Sequence, residues 1–153
     1  MIKINVITSN PSWYNFIKKP IDYVDRKIEK LNIKGKIFSK NIIFCTLLLS
    51  GDKEIKYLNK KFRKKNKTTD ILSFPSLNKK DLKIFSKLNS EIYLGDIIIN
   101  FKKMNTSSEK LFKRHFDILW IHGLIHLFGY DHKKNDNYEK MNAIENKLLN
   151  KFN

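Results

Sequence analysis

The chain is poor in cysteine, whose disulfides stabilise many small secreted proteins. Its 153 residues include a single one, Cys45. One cysteine excludes an intrachain disulfide, which is typical of a reducing compartment, and we expect the cytoplasm. Cys45 lies within the apolar run 42–49. We therefore predict that its thiol is buried and does not act as a nucleophile.

Long apolar runs, linkers and repeats are also missing. No apolar stretch in the sequence reaches the roughly 18 residues that a membrane-spanning helix needs. The first residues alternate like a strand and lack the successive regions of a signal peptide. There is no internal repeat and no segment rich in proline, glycine and serine. Because 41% of the residues are apolar, a chain of this length can bury a core. We expect one domain over residues 1–153 and no membrane partner.

Acidic residues are scarce: 15 Asp and Glu stand against 31 Lys and Arg, which gives a formal net charge of +16. Such an excess favours polyanionic partners, with nucleic acid first. Arginine is scarce too, because 28 of the 31 basic residues are lysines, and alanine occurs once, at Ala143. An A+T-rich genome imposes this composition through its codons, so coding bias is a rival explanation for part of the charge.

The hydrophobic pattern mixes strands and helices without strict βαβ repetition. A capping-box spacing between Thr106 and Glu109 indicates the start of a long helix, and Gly129 indicates its end. The polar segment Ser76–Ser90 is predicted to be a loop. The fold class is therefore α+β, with a small mixed sheet of about four strands covered by helices. Strands are predicted at 2–6, 41–50, 71–74 and 92–100, and helices at 13–31 (with Pro20 opening its second part), 53–62, 106–128 and 137–149.

All four histidines lie between His115 and His132. His122 and His126 are spaced i, i+4, which places them on one face of a helix, and a turn at Gly129 could return His132 to them. Three neutral imidazoles suit zinc, and three protein ligands leave a fourth position open for water, as in catalytic sites. The sequence predicts this metal site at the end of the long helix, while His115 is expected to be a cleft wall or surface residue.

The spacing HxxxHxxGxxH is shared with metzincin metalloproteases, which carry a glutamate directly after the first histidine as general base. Here that position is Gly123, which cannot move a proton. The substitution argues strongly against ordinary zinc-peptidase chemistry.

A basic cluster precedes Pro75, since six of the eight residues from Lys60 to Lys67 are basic. A solvated helix face is the plain alternative. Arg63 stands out because arginine is rare in this chain, and its planar guanidinium binds phosphate through two hydrogen bonds. Asp70 is expected to cap or brace the strand end, and a catalytic role is the weaker alternative. Phe62 could stack on an unpaired base, as could Tyr130, although core packing is the preferred prediction for both.

These segments resemble the YbeY family of bacterial rRNA maturation factors, which are endoribonucleases. The family signature HGxLHLxGYDH is similar to His122-Gly-Leu-Ile-His126-Leu-Phe-Gly-Tyr-Asp-His132, with Ile125 in place of the usual leucine. Its second block, an asparagine and an arginine followed by Thr-Asp-Val-Leu-Ser-Phe-Pro, resembles Asn59–Pro75. A third block resembles Leu94-Gly95-Asp96-Ile97. The likeness extends from about residue 40 onward.

The resemblance implies a zinc-dependent, single-strand-specific endoribonuclease. Such an enzyme would mature the 3′ end of small-subunit (16S) ribosomal RNA and serve ribosome quality control. His122, His126 and His132 would be the zinc ligands, and Arg63 would be the arginine that activity needs. Expected partners are single-stranded ribosomal RNA, the small ribosomal subunit, and a ribosomal protein or assembly GTPase.

Site chemistry suggests how cleavage would proceed. Zinc lowers the pKa of a bound water to about 7, which supplies hydroxide without a glutamate. Arg63 would stabilise the charge that develops on the phosphoryl oxygens, and Asp131 could orient an imidazole or serve only as a turn residue. Two alternatives stay open: a metal-dependent peptidase with its base elsewhere, and a zinc-containing ribosome-assembly module that does not cut.

Overall fold

The computed structural model describes residues 1–34, 41–88, 91–132 and 135–153. It confirms the α+β class with a four-stranded mixed sheet. The strands are β1 (Ile2–Thr8), β2 (Ile42–Ser50), β3 (Ile71–Pro75) and β4 (Glu91–Asn100). The helices are α1 (Pro20–Lys34), α2 (Asp52–Arg63), α3 (Lys79–Phe85), α4 (Glu109–Leu127) and α5 (Asn135–Leu149), with short 3₁₀ helices at Pro11–Asn15, Phe101–Lys103 and Asn150–Phe152.

The strands lie in the order β1-β2-β4-β3. β1, β2 and β4 are parallel, whereas β3 runs antiparallel to β4 and forms one edge. β2 is therefore an interior strand. Its continuous apolar sequence is typical of a strand buried on both faces, but its residues alternate between buried and half-buried, so only one face is fully covered. Asp70 braces the start of β3, because its Oδ1 accepts a hydrogen bond of 2.8 Å from the Ile71 N–H.

Helices cover the two faces of the sheet unequally. The larger core joins the first face to α1, α4 and α5, through side chains such as Val24, Phe116 and Met141. On the other face α2 packs Ile55 against Leu72 and Ile98. Because α4 is buried along most of its length, the sheet and α5 hold it firmly, and it forms a rigid support for side chains at its end.

The predicted helix over 13–31 is wrong as a single element. A 3₁₀ helix covers Pro11–Asn15 and α1 begins separately at Pro20. Proline disfavours helical backbone at the residue before it and lacks an N–H to continue a helix. Trp13 is fully buried, and its Nε1 donates a hydrogen bond of 2.9 Å to the Ser50 carbonyl, so it anchors the segment in the core instead.

The start of the long helix also differs from its prediction. Ser108, not Thr106, is the N-cap of α4, since its Oγ accepts a hydrogen bond of 3.1 Å from the Leu111 N–H. The preceding turn is held by Asn105, whose Oδ1 accepts from the Ser107 N–H at 3.0 Å. That local bond competes with the helix and moves its first residue to Glu109.

The segment predicted as a loop contains α3. Asn78 caps this helix, with its Oδ1 accepting a hydrogen bond of 2.9 Å from the Asp81 N–H. Leu77 and Leu82 pack against the main core, which gives a polar stretch enough buried surface to order it. Residues 89 and 90 lie outside the described ranges.

Cys45 is 1% exposed, which confirms the buried thiol. Burial raises its pKa to about 12, and the nearby charge of Asp96 adds to the effect. A thiol with such a pKa forms almost no thiolate at neutral pH, so it is a poor nucleophile.

Across the described ranges, no helix combines the length and the apolar character needed to cross a membrane.

Candidate metal centre

The end of α4 brings three imidazoles together. His122 and His126 lie one turn apart on the helix, and Gly129, with φ of +85°, turns the chain so that His132 faces them. The ring centres are 4.6 Å apart for the helical pair, while His132 lies 5.1 Å from His126 and 5.8 Å from His122. One ligand atom from each ring lies within 4.8 Å of the other two, so the cluster can bind one metal ion.

The second nitrogens of the helical pair are oriented by acceptors. His126 Nδ1 lies 2.8 Å from the Tyr130 carbonyl oxygen, and His122 Nδ1 lies 3.5 Å from the Glu145 carboxylate. Because both partners can only accept, each neutral ring carries its proton on Nδ1. Both Nε2 lone pairs then face one another at 3.0 Å. In metal-ligating histidines the ligand nitrogens converge and the outer nitrogens lie beside acceptors. Here one outer nitrogen is hydrogen-bonded and the other lies beside a carboxylate, so the donor set fits a zinc-type ion.

The protonation state favours the same conclusion. Burial lowers the pKa of His126, and the neighbouring His122 and His132 also lower it, while the Tyr130 carbonyl and the Asp131 charge act in the opposite direction. A lowered pKa keeps the imidazole neutral to lower pH, and the neutral form is the one that ligates metal.

Gly123 explains how α4 approaches the sheet so closely. A Cβ atom at this position would lie 2.7 Å from Ile97 Cγ2 and 3.2 Å from Ile71 Cδ1. The residue is buried against the strands, so its position faces β3 and β4. A glutamate here would press its Cβ against Ile97, so the position is packed against the sheet and is unfavourable for the peptidase base.

Arg63, the last residue of α2, reaches across to the edge strand. Its Nη2 donates a hydrogen bond of 2.8 Å to the Ser73 carbonyl oxygen, and its Cζ lies 5.4 Å from the centre of the Phe74 ring. The hydrogen bond and the cation–π contact together hold the guanidinium in position. A guanidinium has five N–H donors, so others can bind a phosphate while this bond persists.

Two buried asparagines hold the loop that joins α2 to β3. Asn59 Nδ2 donates a hydrogen bond of 2.9 Å to the Lys67 carbonyl oxygen. Asn100 Nδ2 donates to Asp52 Oδ1 at 2.8 Å and lies 3.1 Å from Thr68 Oγ1. Hydrogen bonds from Thr68 and Asn100 hold the pKa of Asp52 below its usual value. The loop is therefore anchored at Lys67 and Thr68, and this anchoring helps to position the basic segment beside the cleft.

Arg63 and the three histidines line one cleft of about 800 Å³, together with Lys65, Ser73, Tyr130 and Asp131. The cleft thus combines the candidate metal site with two cationic side chains in its lining, Arg63 and Lys65. Phe62 is 59% exposed and Tyr130 is 42% exposed, so the preferred prediction of core packing is wrong for both.

His115 is not part of the cluster. Its Nδ1 accepts a hydrogen bond of 3.1 Å from the Asn105 N–H, which ties the start of α4 to the preceding turn. Glu145 was missed by sequence reasoning, because α5 carries several acidic residues and no spacing relates this one to His122. The Tyr130 carbonyl was missed because a backbone acceptor has no side-chain signature.

This arrangement defines a class of site before any relative is considered. Three imidazoles converge at a helix end, and an arginine and a lysine line the same cleft. Such a site can bind a metal ion and an anionic substrate at the same time.

Comparisons with known proteins agree in family and in fold. The family model described as endoribonuclease YbeY matches residues 9–153. The protein named endoribonuclease YbeY from Pelagibacter ubique is 41% identical, over 99% of this chain and 96% of that protein. The one from Ehrlichia canis is 36% identical, over 99% and 93%. The solution structure of TM1509 from Thermotoga maritima superposes with a TM-score of 0.56 at 22% identity, covering 99% of this chain and 88% of that one, which supports the fold.

The chain therefore belongs to the endoribonuclease YbeY family. This membership confirms the resemblance on which the sequence-based interpretation rested.

Proposed function

We propose that this protein is a zinc-dependent, single-strand-specific endoribonuclease that matures the 3′ end of 16S ribosomal RNA and contributes to ribosome quality control. The observation that carries the proposal is the convergence of three imidazoles and Arg63 on one basic cleft. Family membership supports it, because the relatives are named endoribonucleases.

In this proposal His122, His126 and His132 hold the zinc ion. When bound, zinc would lower the pKa of a water and so supply hydroxide at neutral pH. Glu145 and the Tyr130 carbonyl keep the two helical imidazoles in the ligating tautomer. The chain thus needs no carboxylate base at position 123.

Arg63 binds the scissile phosphate. Its contacts with Ser73 and Phe74 fix the guanidinium before substrate arrives, so little reorganisation accompanies binding. Donors held in place in this way stabilise the charge that develops on the phosphoryl oxygens.

Two observations disfavour a peptidase. The position of the missing glutamate faces Ile97 and not the cleft. A peptide that extended the sheet along the free edge of β3 would need the backbone acceptors of that edge. Arg63 already occupies one of them, the Ser73 carbonyl oxygen.

The test couples metal analysis of the purified protein with RNA cleavage. The zinc-loaded protein should cut single-stranded RNA, and a chelator should stop cleavage until zinc is restored. His126→Ala should lose the metal. Arg63→Ala should keep metal and fold but lose about 10²–10³-fold in cleavage rate, with Arg63→Lys as the control that keeps the charge without the planar fork.

Three outcomes would contradict the proposal. Cleavage of peptides alone would favour the metal-dependent peptidase. If folded, metal-loaded protein cut neither substrate, the non-catalytic ribosome-assembly module would be favoured. An unchanged rate in Arg63→Ala would remove this residue from the reaction.

We further propose that residues 1–153 act as one domain in the cytoplasm, with the small ribosomal subunit and a ribosomal protein or assembly GTPase as partners. The larger core includes both Ile2 and Phe152, which supports the one-domain organisation.

A further inference from the structure

The exposed face of α2 carries aromatic rings that the core does not use. Tyr57 and Phe62 are each 59% exposed. Large aromatic side chains at such exposure mark a binding surface when they lie together. Here they lie on the helix that ends at Arg63.

The contacts among these rings form one path towards the cleft. Lys61 Nζ lies 5.7 Å from the centre of the Tyr57 ring and 5.4 Å from that of Phe62. The Phe62 ring lies 5.5 Å from the Phe74 ring, on which Arg63 stacks. We call Tyr57, Lys61, Phe62 and Phe74 the α2 strip. It leads without a break from the outer surface of α2 to the arginine that lines the cleft.

The charge of this region matches an anionic chain. Between Ile55 and Thr69 the sequence has seven basic residues and no acidic one. Aromatic rings interleaved with cations bind single strands, because exposed bases stack on rings while lysines contact phosphates. In a duplex the bases stack on each other, so the faces of the rings would find no partner.

We propose that the α2 strip binds the single-stranded RNA next to the cleaved phosphate, with unpaired bases stacked on Tyr57 and Phe62 and with Lys61 at the phosphate between them. This inference rests on the proposed endoribonuclease function for its substrate. It assigns a second contact region, outside the metal cleft, which favours single-stranded over paired RNA.

Binding without cleavage tests the strip separately from the reaction. The full chain is kept metal-free with a chelator, and its affinity for a short fluorescent single-stranded RNA is measured by anisotropy. Tyr57→Ala and Phe62→Ala should each weaken binding about tenfold, within the range for one lost base stack. Phe62→Leu keeps the apolar contact with Phe74 but removes the ring, and it should weaken binding as much as Phe62→Ala does.

Two controls separate stacking from charge and from general loss of surface. Tyr14→Ala removes an exposed ring that follows β1, at the opposite edge of the sheet, and should leave affinity unchanged. An RNA of the same length with abasic residues offers phosphates without bases. It should bind the wild type and Phe62→Ala equally.

The proposed role of the α2 strip would be wrong if both ring variants bound RNA with wild-type affinity. It would also be wrong if the wild type showed no measurable binding of single-stranded RNA. An equal loss of affinity for ordinary and abasic RNA in the ring variants would also contradict the proposal, because base stacking would not be the cause of the loss. Cleavage by zinc-loaded wild type is scored separately. If the wild type cuts RNA but the ring variants bind it normally, only the proposal for the α2 strip is wrong. If the ring variants lose binding but the wild type never cuts RNA, only the proposed nuclease activity is wrong.

Discussion

Glu145 shows at the scale of one residue how a distant side chain prepares a ligand. Its carboxylate lies 3.5 Å from His122 Nδ1, and its side chain is 16% exposed. An acceptor at that nitrogen holds both the tautomer and the ring orientation.

Glu145→Ala should therefore weaken zinc binding about 10- to 100-fold, measured by competition with a chromophoric chelator. Glu145→Gln keeps an acceptor, so its zinc affinity should lie between that of the wild type and that of Glu145→Ala. Glu139→Ala removes a charge from an exposed position of the same helix and serves as the control. Equal affinities in the wild type and Glu145→Ala would show that Glu145 does not position His122.

At the scale of the element, the close approach of α4 to the sheet depends on Gly123. In an ordinary helix interior, glycine to alanine stabilises by about 1 kcal/mol. Here the new Cβ would meet Ile97 at 2.7 Å, and overpacking costs about 1–3 kcal/mol. Gly123→Ala should thus lower the free energy of unfolding in urea.

The loss of stability caused by Gly123→Ala should be smaller when Ile97→Ala is also present. The colliding side chain is then absent, so the effects of the two substitutions are coupled. A gain in stability for Gly123→Ala alone would mean that helix and sheet are not in close contact at this point.

The elements that the sequence predicts well are those with local causes. α4 could be predicted together with its histidines, because an i, i+4 spacing and a terminal glycine act within one segment. Pro20 is a local signal that correctly predicts the start of α1, whereas the burial of Trp13 depends on its reaching the Ser50 carbonyl. The approach of Glu145 to His122 likewise depends on how α5 packs. Such contacts join segments that are far apart in the chain, so no local sequence pattern predicts them. Arg63 could be singled out, but its partner Ser73 could not.

For the whole molecule the question is how much of the +16 charge serves RNA binding. Each phosphate that the protein contacts on a single strand contributes about −0.7 to the slope of log K against log salt. Lys65 lines the cleft, whereas Lys147 is exposed in the last turn of α5.

Lys65→Gln should make the slope shallower by about 0.7, while Lys147→Gln should leave it unchanged. The measurement is RNA affinity of metal-free protein over a series of salt concentrations. Equal effects of the two substitutions would mean that binding follows net charge alone, without a defined path for the backbone.

Arg63 also has a consequence for how copies of the protein meet one another. β3 is the outermost strand, and Arg63 occupies an acceptor on it. Open strand edges invite pairing with another chain, and covering them prevents aggregation. A variant that loses the long basic side chain altogether, such as Arg63→Ala, uncovers this edge as well as the cleft. Inactive variants at position 63 should therefore self-associate more readily than Arg63→Lys. Solubility is thus an independent test of the contact between Arg63 and the Ser73 carbonyl.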